Sequence, residues 1–336
     1  GVGERNIYAA LNLDGGATWQ GAQLLDTEPG NVGRPLIASA SNSYAVMWNQ
    51  SDPSLTFGNV WVSIFNNSWS TASNIENASG DTTLGSLFAS NGRYIFSWEQ
   101  NTRRQESVVA TRIFSNSFRP TQYLIQNNHI GSVVDYKIVA ADNGSVLTLW
   151  RQFHNGNNRL YTRVYENGAW GDSLLLSNNV FFNYYAVSDG SGFLISWVEK
   201  DSTSETLYKR LYVDGVWQLE ITTAIQTEYW DMRLTSNGTG YALVWVDGFA
   251  FFASTYNGAV WSNWGTLGGF NNGDFELSSN QDGYAFTWDE GKVYASVFTF
   301  TNGWVTRELV QRFNFLNATK PIMAANSNNY MVAYLQ

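Results

Sequence analysis

The sequence predicts an all-β protein built from one repeated antiparallel sheet, on three observations. The stretch YAVMWNQ at 44–50 returns as YIFSWEQ at 94–100, VLTLWRQ at 146–152, FLISWVE at 193–199, YALVWVD at 241–247, YAFTWDE at 284–290 and YMVAYLQ at 330–336. The aromatic near the end of each copy (Trp48, Trp98, Trp150, Trp197, Trp245, Trp288, Tyr334) follows the previous one by 50, 52, 47, 48, 43 and 46 residues. Each interval has room for four short strands and their turns. An Asn-, Asp- or Gly-rich turn follows the third strand of most units, and an aromatic follows the turn: Trp69, Phe118, Trp170, Trp217, Trp261 and Trp304. Asn-Gly and Asp-Gly supply the positive φ angles of tight hairpins. Units of this size are propeller blades. The expected architecture is a seven-bladed β-propeller of four-stranded antiparallel blades, one domain over 1–336.

The elements follow in order within each unit. In the second, GSLFAS (85–90) is the first strand, RYIFSW (93–98) the second, SVVATRIF (107–114) the third and RPTQYLIQ (119–126) the fourth. Second strands are apolar on both faces, as VLTLW shows, because blades stacked face to face bury both sides of their middle strands. Fourth strands such as QGAQLLD (20–26) and VTRELVQ (305–311) are more polar, as edges should be. The seventh unit has KPIMAAN (320–326) and YMVAYLQ but no third or fourth strand after them. RNIYAALNL (5–13), the turn DGG and ATWQGAQLLD (17–26) supply the missing pair from the N-terminus. Closing the count across the ends gives an interval of 50, inside the observed range, so the last blade is expected to be shared by both termini.

Composition narrows the function. The chain has 336 residues, no cysteine, 14% charged residues and a net charge of −9. A phosphate-binding surface needs clustered Lys and Arg, and only TRR at 102–104 approaches that, so no nucleic-acid partner is expected. Zero cysteines exclude disulfides, a thiol nucleophile and thiolate zinc sites. No apolar run reaches the roughly 18 residues of a membrane span. The GVGERN start reads as a mature or trimmed end, compatible with a removed export signal. The expectation is a secreted or surface-displayed bacterial protein, monomeric, without cofactor or metal.

Residues 12–19, NLDGGATW, resemble the Asp-box (BNR repeat), Ser-x-Asp-x-Gly-x-Thr-Trp, through Asp14, Gly16, Thr18 and Trp19, with Asn12 in place of the Ser. The other turns keep only the hairpin and the aromatic. The resemblance implies a sialidase-like propeller in which the box is a folding device between third and fourth strands, on the face opposite any active site. For sialidase chemistry it implies an arginine triad and a Tyr–Glu nucleophile pair. Only Arg34 in GRPLIA matches the setting of the first arginine, while Arg112, Arg163, Arg210, Arg233 and Arg307 are scattered. No catalytic residue is carried over.

Two sets of residues are expected at the channel mouth. Two positions after each landmark stand Gln50, Gln100, Gln152, Glu199, Asp247, Glu290 and Gln336. Their seven-fold recurrence favours capping of loop backbone over a ligand collar. At the starts of the innermost strands, DYK (135–137), NYY (183–185), YWD (229–231) and GDFE (273–276) align Tyr136, Tyr184, Trp230 and Phe275, flanked by Asp135, Lys137, Asn183, Asp231, Asp274 and Glu276. Alternation turns the aromatics one way and the polar groups the other. The aromatics either wedge between blades or form a lopsided patch able to grip a sugar ring. Tyr136, Tyr184, Trp230, Asp231, Asp274, Phe275 and Arg34 are therefore the candidate ligand-binding residues. His129 and His154 carry no metal or triad motif, and no HExxH, GxSxG or phosphate loop occurs. The leading expectation is a noncatalytic propeller recognising a glycan or protein. The alternatives are a glycoside hydrolase or lyase using a pair among Asp135, Asp231, Asp274 and Glu276, and a structural module of a larger surface protein.

Overall fold

The computed structural model describes residues 5–12, 18–40, 43–51, 58–76, 80–101, 107–125, 132–225, 229–269, 273–310 and 318–335. Among the described residues every element is a β-strand, and every pair is antiparallel. Six sheets follow one another along the chain, each running from first to fourth strand in sequence order. Their first strands are Leu36–Ala40, Thr82–Ser90, Ser132–Ala140, Val180–Ser188, Tyr229–Ser236 and Phe275–Asn280. Their second strands, from Ser43–Ser51 to Gly283–Asp289, hold the repeated motif. Two further sheets have two strands each: Tyr8–Ala9 with Gln23–Leu24, and Thr319–Ala325 with Tyr330–Leu335.

The second strands are buried along almost their whole length, as their composition requires. Tyr241–Asp247 and Gly283–Asp289 have no partly exposed residue, and Trp48, Trp98, Trp197, Trp245 and Trp288 are among the largest fully buried side chains. Each such side chain contributes about 1.5–3 kcal/mol of hydrophobic stabilisation.

The third-to-fourth-strand hairpin is built one way throughout. In the third and fourth sheets the turn pairs Asn167 with Gly168 and Asp214 with Gly215, all at positive φ. The aromatic after the turn then packs on an aromatic of the third strand: Phe65–Trp69, Phe114–Phe118, Tyr165–Trp170, Tyr212–Trp217, Tyr256–Trp261 and Phe298–Trp304, with ring centroids 4.9–5.5 Å apart. The next residue donates its backbone N–H to a third-strand carbonyl in all six sheets: Ser70 to Ile64, Arg119 to Ile113, Gly171 to Val164, Gln218 to Leu211, Ser262 to Thr255 and Val305 to Val297. That residue's own carbonyl accepts from a third-strand side chain, which is Ser63, Ser254 or Ser296 in three sheets and Arg112, Arg163 or Arg210 in the other three. Three arginines that look scattered in the sequence thus hold one equivalent position. In four sheets the clasp leaves the fourth strand in two short pieces, both paired to the third.

The N-terminal pair follows the same rule. Gln20, after Trp19, donates to the Leu11 carbonyl at 2.8 Å. Asn12 Nδ2 donates to the Thr18 carbonyl at 2.7 Å across the same hairpin. Asp14 and Gly16 lie outside the described residues. Trp19 is 72% exposed, unlike its counterparts.

By contacts the chain divides into two compact units, Gly1–Gly156 with Tyr161–Leu174, and Asn157–Leu160 with Leu175–Gln336. In the first unit Ile7 and Leu25 of the N-terminal pair pack on Val46 and Trp48 of the first sheet. Val60 and Val62 pack against Tyr94, Phe96 and Trp98 of the second, and Ile95 and Val109 against Ile138 and Trp150 of the third. In the second unit Leu207 meets Met232 and Trp245, and Val244 and Phe251 meet Phe286 and Trp288. The C-terminal pair lies on the sixth sheet through Thr319–Ala325.

Candidate functional site

The residues singled out in the sequence sit where the first strands depart from regular pairing. Register slips between Leu84 and Ser86, Val133 and Asp135, Val180 and Tyr184, and Tyr229 and Met232. Bulges of this kind redirect side chains, often beside functional sites. Next to each slip, and on the regularly paired first strand of the sixth sheet, one residue faces the landmark tryptophan: Leu84 opposite Trp98, Tyr136 opposite Trp150, Tyr184 opposite Trp197, Met232 opposite Trp245 and Phe275 opposite Trp288. The sequence alignment placed Trp230 at this level. The register puts Met232 there, two residues further on and beyond the slip. The Trp230 side chain lies outside the described residues.

These facing residues are wedges. Tyr184, Met232 and Phe275 are buried. The Tyr136 hydroxyl reaches Gly85 of the preceding sheet, where an added Cβ would fall 1.8 Å from it. Burial pushes that hydroxyl up to about 12, against the smaller effect of a nearby Ser97. The inter-blade reading of the aromatics therefore describes Tyr136 and Phe275, while Tyr184 is buried.

The positions on either side of each wedge share the opposite strand face, and in the second unit they form one network. Asp231 Oδ1 accepts from Asn183 Nδ2 at 3.0 Å, from the Tyr185 hydroxyl at 2.9 Å and from the Met232 backbone N–H at 2.8 Å. Asp231 Oδ2 pairs with the Arg233 guanidinium, which also donates to the Met232 carbonyl at 2.9 Å. Arg233 lies 4.5 Å above the Phe275 ring. Burial opposes the Arg233 cation, but hydrogen bonding and charge from Asp231, then Tyr185 and Glu276, outweigh it and raise its pKa. Burial and the Asp231 charge push the Tyr185 hydroxyl up to about 12. The side chains of Arg233 and Asp231 remain 31% and 27% exposed, so this fixed pair of opposite charges is open to solvent. Asn183, Tyr185, Asp231, Arg233 and Glu276 come from three successive first strands.

Of the sequence-selected residues, Asp231 is the hub. Asp274 is exposed, and its backbone N–H donates to buried Asp289 at 3.1 Å. Asp289 also accepts from the Lys320 N–H at 3.2 Å, tying the sixth sheet to the C-terminal pair. In the first unit Asp135 pairs with Arg151 at 2.7 Å, and Arg34 is exposed ahead of the first sheet. Sequence reasoning missed Arg233 and Tyr185. The available signal was spacing: Arg233 is two residues from Asp231 and Tyr185 two from Asn183, on one face of their strands.

The post-landmark amides and carboxylates brace loops. Trp48 Nε1 donates to Gln50 Oε1 at 3.0 Å, and Gln50 Nε2 donates to the Glu28 carbonyl. Trp98 and Gln100 repeat this toward the Gly80 carbonyl, and Trp197 donates to Glu199. Among the described residues no group of three or more His, Asp and Glu side chains is placed to hold a metal ion.

No family model and no curated protein matches the chain. Solved structures do. A prolyl endopeptidase structure matches with TM-score 0.51 and 10% identity, over 90% of this chain and 45% of that one, so the chain spans about half of its length. The β-propeller domain of the Trilobed protease from Pyrococcus furiosus matches with TM-score 0.44 and 10% identity, over 84% and 86% of the two chains. A fucose-specific lectin from Aleuria aurantia matches with TM-score 0.41 and 12% identity, over 82% and 95%. At these identities the likeness concerns fold alone. The architecture is all-β, a succession of antiparallel sheets of four strands or more with a two-stranded pair at each end.

Proposed function

We propose that this chain is a noncatalytic binding propeller that recognises a glycan or protein through the polar strip on the first strands of its fourth to sixth blades. The carrying observation is the Asn183–Tyr185–Asp231–Arg233 network, held rigidly yet partly open. Adjacent hydroxyls of a saccharide need acceptors and donors side by side, which a fixed carboxylate–guanidinium pair supplies. The aromatic below Arg233 is buried, so the strip offers polar atoms rather than a stacking platform. Two strands converging on one carboxylate give preorganisation, which spares the ligand an ordering cost.

Seven blades and closure by the two termini are part of this proposal. The N-terminal hairpin has the third-to-fourth-strand hydrogen bond found in the six complete blades. Tyr8, Met331 and Leu335 of the two end pairs are exposed apolar side chains, as unfinished sheets should present. Export or surface display is also proposed, on the scarcity of charge and the absence of cysteine, and fractionation of the native host checks it.

A glycan array and a partner pull-down test the function. The expected result is a ligand whose affinity falls at least about tenfold in Asp231→Asn and Arg233→Gln, with circular dichroism unchanged. Silence in both assays at high protein concentration overturns the reading. Turnover on a polysaccharide panel that Asp231→Asn abolishes would instead establish a glycoside hydrolase.

A further inference from the structure

The three clasp arginines differ in what their outer nitrogens do. Arg112 donates through Nε to the Arg119 carbonyl and through NH1 to the Ile75 carbonyl at 3.0 Å. Arg210 donates through Nε to the Gln218 carbonyl and through NH1 to the Glu220 carboxylate at 3.3 Å. Arg163 donates through Nε to the Gly171 carbonyl, and its outer nitrogens have no hydrogen-bond partner among the described residues. Burial lowers the Arg163 pKa, and only the charge of Asp172 nearby works against this.

Arg163 lines a pocket of about 260 Å³ within the first unit, between the hairpins of the second and third blades. Arg119 lines it too, making one long contact of 3.4 Å to the Gly168 carbonyl and no ion pair among the described residues. Among the described residues no Asp or Glu lines the pocket, on a chain of net charge −9, although Asp172 lies close enough to act on Arg163. Three further lining side chains end in buried polar atoms without a partner: Thr111 Oγ1, Tyr165 OH and Trp170 Nε1. Thr111 and Tyr165 are 0% and 3% exposed. Buried polar groups are normally satisfied, and an indole N–H can only donate. A cavity bordered by two guanidinium groups without an ion pair among the described residues, with unsatisfied polar atoms in its walls, calls for negative charge.

We propose that this pocket is a second binding site, distinct from the first-strand strip, for a small ligand carrying an oxyanion such as a carboxylate or sulfate. Arg163 and Arg119 hold the anion, and the clasp pair Tyr165–Trp170 forms the wall against which the rest of the ligand lies. The volume admits a group the size of one acidic monosaccharide.

Isothermal titration with glucuronate, glucose and inorganic sulfate tests this on the full chain. Glucuronate or sulfate is expected to bind saturably, more weakly as salt rises, with glucose at least about tenfold weaker than glucuronate. Arg163→Gln and Arg119→Gln should each weaken anion binding about tenfold or more. Arg210→Gln removes the equivalent clasp of the fourth blade, which does not line the pocket, and should leave binding unchanged, separating anion contact from hairpin stability. Asp231→Asn should also leave it unchanged, so failure here and failure of the first-strand site are read separately. Arg119 enters its clasp through backbone atoms alone, so its side-chain variant keeps the test valid if Arg163→Gln fails to fold. No saturable binding of either anion, equal affinity for glucose, or unchanged affinity in Arg119→Gln overturns the proposal.

Discussion

Glu76 shows how a single carboxyl can reverse the usual pH response. It lies just after the first blade, with Oε2 buried and unpartnered, and burial pushes its pKa up to about 7 despite a hydrogen bond with Gln100. A carboxyl raised in the folded state keeps its proton more tightly there than in the unfolded chain. Its contribution is therefore greatest below pH 4.5, the ordinary value, and is lost as pH rises to about 7. Glu76→Gln should remove this decline. The stability of the variant relative to the wild type should rise between those limits by about 1–2 kcal/mol, after allowing for solvent screening. Thermal melts of both proteins across that range check it, and parallel curves would show that Glu76 is solvated. Nothing in the local sequence marks this glutamate, because its pKa depends on what covers it. The Gln50 and Gln100 braces were legible, since an amide recurring at a fixed distance from a tryptophan points to a shared structural task.

At the scale of the strand, legibility followed burial. The second strands could be read because both faces are covered, which fixes their composition. The hairpin aromatics could be read because the turn demands Asn, Asp or Gly and the next residue must pack. The first strands were read less well. Aligning YWD with its counterparts selected Trp230 as the wedge, two residues before Met232, which the pairing beyond the slip sets opposite Trp245. Arg233 was overlooked although its spacing of two from Asp231 puts both on one strand face. The clasp makes a prediction at this level. Trp217→Ala removes the 4.9 Å contact with Tyr212 and the cover over Arg210, and should cost about 2–3 kcal/mol. Denaturant titration should show a lower midpoint with an unchanged slope. Trp19→Ala, at an exposed counterpart, should cost under about 0.5 kcal/mol.

For the whole molecule, the repeat was legible as a count of second-strand motifs, and the six complete blades and two end pairs stand where that count puts them. The proposed seventh blade makes a covalent prediction that the absence of cysteine renders clean. If the proposal holds, Ala9→Cys combined with Ala333→Cys should form an intramolecular disulfide on mild oxidation, detected by gel mobility, because the proposed closure would lay those strands side by side. The oxidised protein should melt at higher temperature, since the bond closes nearly the full chain length. A disulfide forming only between molecules would show an exchanged pair, and none forming at all would leave the end strands unjoined.

The bulged first strands carry a practical corollary for engineering. The wedge and the two residues beside it point in opposite directions, so a wedge is separated from the neighbours on its own strand, while Arg233 covers the wedge Phe275 of the next. Positions 183 and 185, 231 and 233, and 274 and 276 act as interchangeable cassettes on a fixed chassis. A library randomised at those six sites should retain folded members in high proportion while sampling new specificities.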